Sequence, residues 1–457
     1  MWSVYGTLKI TGCSVVAACV TLTLTSPISA QSVAAPPASG GGLFGPTRSE
    51  AAVRDRLSVT LDVSETLENN VPPEFRSQVV PDDLQSGGLS TMLTASADYA
   101  RNRHRVQLAG SLLSAFRYYT QLDAVAAVSH SASLGASVRL PGQGSLQVSQ
   151  SVAYSPAYLY QLFPTTAVAV SEEAIPVNPD YRITPNNSYS YMTKAAVAFG
   201  SPRSFRVTTT ADYNRSDFQS ETASGSNLKV YGVGVQGSRS MARNGGLSVE
   251  YQYRAGEFGF GGKSTEHRIT FGVDYSRALS TKRRATFHLK LTPSTLEFSQ
   301  SVLGAFVTDA VPSAADRREY LLQAEAGIDY QFRRNWHATG NLSRGVEYLP
   351  WLGGPVVAKA ARAELAGLIT RSVDLSAVAG YATGASAVYL GAQDLETRTF
   401  DVRVRYALKR SFALYTEYLY YYYDLRGQIG LGPGQSSVFG EHAVRLGFTL
   451  FVEPLRR

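Results

Sequence analysis

From Leu57 to Phe451 apolar and polar residues alternate in runs of about ten, each closed by a turn. Leu57, Val59, Leu61 and Val63 make the first apolar face. Leu247, Val249, Tyr251 and Tyr253 alternate with Ser248, Glu250, Gln252 and Arg254, and Ile269, Phe271, Val273 and Tyr275 alternate with Arg268, Thr270, Gly272 and Asp274. Side chains on an extended chain point to opposite faces with a period of two, so each run predicts a strand with one apolar and one polar face. About eighteen such strands are read along the chain, with sixteen as the lower alternative.

The turns carry a second alternation. Short connections fall after every even strand, for example Arg101-Asn102-Arg103, Pro141-Gly142-Gln143-Gly144, Ser201-Pro202-Arg203, Arg371-Ser372 and Lys409-Arg410-Ser411. Long ones follow odd strands, the largest being Pro156–Asn187, Pro293–Glu319 and Leu425–Glu441. A soluble sandwich has no reason to sort its loop lengths this way. An all-β transmembrane antiparallel barrel of up-and-down meander does, with short periplasmic turns, long extracellular loops, lipid outside and a polar lumen. Sorted by loop length alone, Tyr118, Tyr213, Tyr253, Tyr348, Tyr381 and Tyr420 to Tyr423 gather at the outer rim. Phe199, Phe205, Tyr275, Phe287, Tyr330, Trp336, Tyr406 and Phe412 gather at the inner one, giving the two aromatic belts of a bilayer-spanning protein.

The ends divide the chain further. Lys9 precedes an apolar stretch from Ile10 to Leu24, and Pro27-Ile28-Ser29-Ala30 offers a cleavage site, so residues 1–30 are expected to be a signal peptide. Val16-Ala17-Ala18-Cys19 resembles a lipobox, but the apolar stretch continues past Cys19, which favours ordinary cleavage after Ala30. Residues 31–55, rich in Ala, Pro, Ser and Gly at their start, read as a flexible periplasmic leader too short for a plug domain. The barrel is expected over 56–451 and a C-terminal tail over 452–457.

Composition narrows the chemistry. Cys13 and Cys19 both lie in the signal, so the processed chain has no thiol for disulfides, metal sites or nucleophiles. The formal charge of +7 becomes +6 once Lys9 leaves, and the basic residues are dispersed rather than clustered as nucleic-acid binding requires. His104, His130, His267, His288, His337 and His442 fit neither a zinc spacing nor a Ser, His and acid arrangement. No catalytic residue, metal or cofactor is therefore expected.

If the apolar faces meet lipid, the intervening residues line the lumen: Arg206, Glu250, Arg254, Arg268, Asp274, Lys290, Glu325, Asp329, Arg362, Glu364, Asp401, Arg403, Arg405 and Arg445. Both signs occur with a mild basic majority, compatible with anion preference, and the same residues can also serve as cross-strand pairs holding a wet sheet together. The loop Pro156–Asn187 is a candidate for folding inward as a constriction.

The first strand continues Ser64-Glu65-Thr66-Leu67-Glu68-Asn69-Asn70-Val71. This resembles the opening strand of an outer-membrane β-barrel porin family found beside exopolysaccharide clusters, in which a Glu in the strand is followed by Asp-Asn-Val; Asn69 stands here in place of that Asp. Tyr406-Ala407-Leu408-Lys409-Arg410-Ser411-Phe412 is similar to its hairpins. The resemblance implies an outer-membrane barrel and, by association only, surface polysaccharide export with its export components as partners; the reading favoured from the lumen is an aqueous channel for hydrophilic solutes. The other partners expected are outer-membrane lipid, lipopolysaccharide and the barrel assembly machinery. Val444, Leu446, Phe448 and Leu450 resemble the terminal signal that machinery reads, although Phe451 is not the last residue. The alternative from another class is a surface receptor or adhesion barrel with a closed lumen and ligand-binding loops.

Overall fold

A computed structural model of the chain describes residues 55–456 except 70–87, 120–124, 156–187, 202–204, 219–226, 243, 260, 281–282, 301–316, 334, 349–353, 388–394 and 425–437. The signal, almost all of the leader and the loop Pro156–Asn187 lie outside the described residues. The alternating runs fold as β1 Asp55–Glu68, β2 Gly88–Asn102, β3 Val106–Tyr119, β4 Val125–Leu140, β5 Gly144–Ser155, β6 Ser188–Gly200, β7 Phe205–Phe218, β8 Leu228–Ala242 and β9 Gly245–Phe258. They continue as β10 Gly262–Ser280, β11 Arg283–Gln300, β12 Arg317–Arg333, β13 Trp336–Tyr348, β14 Pro355–Leu368, β15 Val373–Ser386, β16 Leu395–Lys409, β17 Phe412–Asp424 and β18 Val438–Arg456.

All neighbours in sequence pair antiparallel, and β1 pairs with β18, so the 18-stranded sheet closes on itself. Closure removes every sheet edge and satisfies the backbone within the wall, the condition for a β structure to cross hydrocarbon. Strands of 12 to 19 residues exceed the ~9–11 that a tilted strand needs to cross a bilayer, so every strand is long enough to span one. Leu112, Leu134, Val233, Val249, Phe271, Leu289, Leu342 and Leu446 point outward and are exposed. Their alternate neighbours, among them Ser111, Ser133, Ser248 and Arg445, point into the lumen.

The even-to-odd turns are tight, as expected. At Gly142 and Gln143 two consecutive residues take positive φ, 69° and 64°, the left-handed backbone that matches the twist of a hairpin. One odd-to-even connection breaks the loop alternation: β9 ends at Phe258 and β10 begins at Gly262.

Several boundaries differ from expectation. Residues 452–456 are not a tail; β18 runs to Arg456, and past a bulge Leu455 and Arg456 pair with Leu57 and Arg56. Arg56 also meets Glu453 at 3.2 Å, which ties this extension to the first strand. β18 likewise starts at Val438, within the span expected to be loop. β11 continues through Pro293 to Gln300. Proline lacks the N–H that a ladder needs, and the β10–β11 pairing skips there, from Arg268↔Ser294 to Phe271↔Leu291, before resuming.

Beyond Pro293 the polarity of the strand inverts. Leu296 and Phe298 point inward and are buried, while Glu297 and Ser299 point outward. The same inversion occurs at the outer ends of β8, where Leu228 and Val230 flank Lys229, and β9, where Phe258 follows Glu257. An apolar lumen face at this level needs something inside the barrel to cover it.

Candidate functional site: the barrel lumen and its inward hairpin

The cover is the tip of the β13–β14 hairpin. β13 pairs with β12 only as far as Ala324↔Arg344, while its pairing with β14 continues to Tyr348↔Pro355. Past Arg344 the hairpin leaves the line of the wall and lies across the lumen face of β8 to β11. There Val346 and Tyr348 join Leu228, Val230, Phe258, Leu296 and Phe298 in one buried apolar cluster, with Leu321 of β12 packed against it. The Tyr348 ring stacks on Phe258 at 6.3 Å, and the Arg254 guanidinium lies over the Tyr348 ring, 4.7 Å from its centroid. Gly256 makes room: a Cβ there would come within 2.7 Å of the Tyr348 ring.

Polar contacts fix the tip in register. Val346 N–H donates to Gln323 Oε1 at 3.2 Å, and the Gln323 amide donates to Glu266 at 2.5 Å and to Ser294 at 2.8 Å. Each buried apolar side chain of this kind contributes ~1.5–3 kcal/mol, so the folded-in tip is a stable feature of the wall. Tyr348, expected in the outer aromatic belt, is therefore a lumen residue. So are Tyr421 and Tyr423, which point inward and are buried, whereas Tyr420 and Tyr422 keep their outward places.

The lumen residues named from the sequence all lie on strand positions that face inward, and the structure brings most of them together as cross-strand pairs. Arg254 meets Glu266 at 3.8 Å, and Arg268 donates to Gln252. Lys290 bonds Glu325 at 3.1 Å, with His288 3.6 Å from the same carboxylate. Arg362 pairs with Glu364 at 3.4 Å, and His337 approaches Glu364 at 3.7 Å. Arg405 holds both oxygens of Asp374, at 2.5–3.1 Å. Arg403 and Arg445 both grip Glu417 at 2.6 Å, and Arg445 also donates to Thr66 at 3.1 Å. Arg206 donates to Ser145 at 3.2 Å. Glu250 lies opposite Gln236 and Thr270, Asp274 opposite Gly246 and His288, and Asp329 opposite Thr286 and Thr339. Asp401 faces inward beside Arg403 and Arg405 on β16.

Sequence reading missed the acids that partner this ladder. Asp62, Glu68, Asp98, Glu266, Asp374 and Glu417 face the same lumen by the same alternation. Glu68 pairs with Arg117 and accepts from Ser90, and Asp62 accepts from Thr449. With these included, the described lumen carries no basic majority. It divides instead into two arcs. From β3 to β5 the inward positions are largely hydroxyls and small residues, including Ser111, Ser133, Ser137, Ser149 and Ser151. The strands from β9 to β18 carry the ion pairs Arg254–Glu266, Lys290–Glu325, Arg362–Glu364, Arg405–Asp374 and Arg403–Glu417–Arg445. His130, His267 and His442 point outward, away from the lumen.

No family model and no curated protein matches the chain. Solved structures with a similar fold include OccAB2 of Acinetobacter baumannii, at 9% identity over 88% of this chain and 98% of that one, with a TM-score of 0.42. OccK2 (OpdF) of Pseudomonas aeruginosa, solved in complex with glucuronate, is similar at 8% identity over 88% and 98%, TM-score 0.41. The ferric-catecholate import receptor Fiu of E. coli K12 is similar at 9% identity over 86% and 81%, TM-score 0.39. At these values the likeness is one of barrel architecture and carries nothing about solute.

Proposed function

We propose that the protein is an outer-membrane channel for small hydrophilic solutes, narrowed on its loop side by the β13–β14 tip. The observation that carries this reading is the wall itself: an apolar exterior around a lumen face of hydroxyls and paired charges. Such a face binds hydroxyl-rich or charged solutes weakly and replaces part of their hydration, which is what passage through a wet pore requires. Because the fixed cations are matched by carboxylates, the channel is expected to discriminate by size and hydrogen bonding more than by charge. Polysaccharide export rests only on the association that comes with the resemblance of Ser64–Val71 and Tyr406–Phe412, and an inward tip suits small solutes better than a wide polymer.

The competing reading is a receptor barrel with a closed lumen. Swelling of liposomes that contain the refolded protein separates the two. A channel admits small sugars and amino acids, at rates that fall with solute size. Absence of swelling with every small solute, from protein shown to be folded, supports the receptor.

A further inference from the structure

On the outer face of β7 to β10, close to the end that carries the long connections, charged residues form one cross-strand row. Arg215 stands directly opposite Lys229, Lys229 opposite Glu257, and Glu257 opposite Lys263. Like charges placed opposite each other on a sheet destabilise it unless an anion lies between them. The acids present compensate the two ends of the row: Asp217 binds Arg215 at 2.7 Å, and Glu257 lies 3.9 Å from Lys263. Lys229, in the middle and exposed, has no ion pair among the described residues.

One step toward the membrane, on the same face, Tyr213 stands opposite Tyr231, both exposed. One pair further along the strands on the same face, Tyr253 stands opposite His267, their rings 5.1 Å apart, with Tyr251 Oη 2.8 Å from His267 Nδ1. Tyrosines seat at the boundary between acyl chains and headgroups. That places the row of cations at the level of the headgroups themselves, on the lipid side of the wall and outside the conduction path.

We infer that Arg215, Lys229 and Lys263 form a binding face for a phosphorylated lipid headgroup of the outer leaflet. The tyrosines stack beneath its acyl and sugar portions, and a phosphate bridges Arg215 and Lys229, relieving their mutual repulsion. Arginine offers a forked donor set and lysine a point charge, a combination suited to one phosphate held from two strands.

Native mass spectrometry of the intact barrel in detergent tests this, with bisphosphorylated lipid A as the probe. The wild-type protein should retain lipid A at low molar ratio and should not retain its dephosphorylated form. The double substitution Arg215→Gln with Lys229→Gln should weaken retention at least about tenfold, and Lys229→Arg alone should preserve it. Arg277→Gln, which removes an outward cation at the opposite end of β10, should change nothing. Heat-modifiable migration of each variant shows that it is folded. Equal retention by the double variant, equal loss with Arg277→Gln, or displacement of the lipid by millimolar inorganic phosphate would overturn the inference.

Discussion

Glu417 shows how single residues hold this wall together. It accepts from Arg403 and Arg445 at once, and Arg445 is 0% and Glu417 2% exposed although both face the lumen. An ion pair removed from water gains little over apolar packing, but losing one partner strands the other as a buried charge. Glu417→Gln should therefore cost roughly 3–5 kcal/mol in reversible urea unfolding. Glu417→Gln combined with Arg445→Met should cost less than the sum of the two single changes. Strict additivity would mean that the two side chains do not act as a pair. The inward position of Arg445 was legible in the sequence, because it alternates with Val444 and Leu446. Its partner was equally legible by parity, since Glu417 alternates with Thr416 and Tyr418. What the sequence could not supply is the lateral register that sets Glu417 against Arg445 and not against another cation.

At the scale of strands and turns, the apolar-polar period was enough to find all eighteen strands, because a wall that is apolar outside and polar inside imposes it on each of them. It failed where that condition lapses. Past Pro293, Leu296-Glu297-Phe298 reads as loop to a rule that expects apolar residues outside, yet it is a strand whose inner face is covered by the hairpin tip. The same inversion at Leu228-Lys229-Val230 was available as a signal for an apolar object inside the barrel. The sorting of turns gives an orientation that can be checked directly, since Cys13 and Cys19 leave with the expected signal and no thiol remains. A cysteine at Gly259, in the tight turn between β9 and β10, should react with an impermeant maleimide on intact cells, and one at Ser411 should react only after lysis. The opposite pattern would invert the barrel in its membrane.

For the molecule as a whole, a closed wall, a polar lumen and an inward tip support the proposed channel, in which water and small solutes pass through the barrel and the β13–β14 tip sets how freely. The tip is held by side chains that can be altered without touching the wall's backbone pairing, chiefly Tyr348 in the notch at Gly256 and Val346 against Leu296 and Phe298. Single-channel recording in a planar bilayer reads the claim most directly. Wild-type protein should give stable conductance steps, and Val346→Ala with Tyr348→Ala should give larger or noisier steps from a barrel that still migrates as folded. Folded wild-type protein with no conductance, or a double variant whose steps are identical in size and noise to wild type, would contradict it.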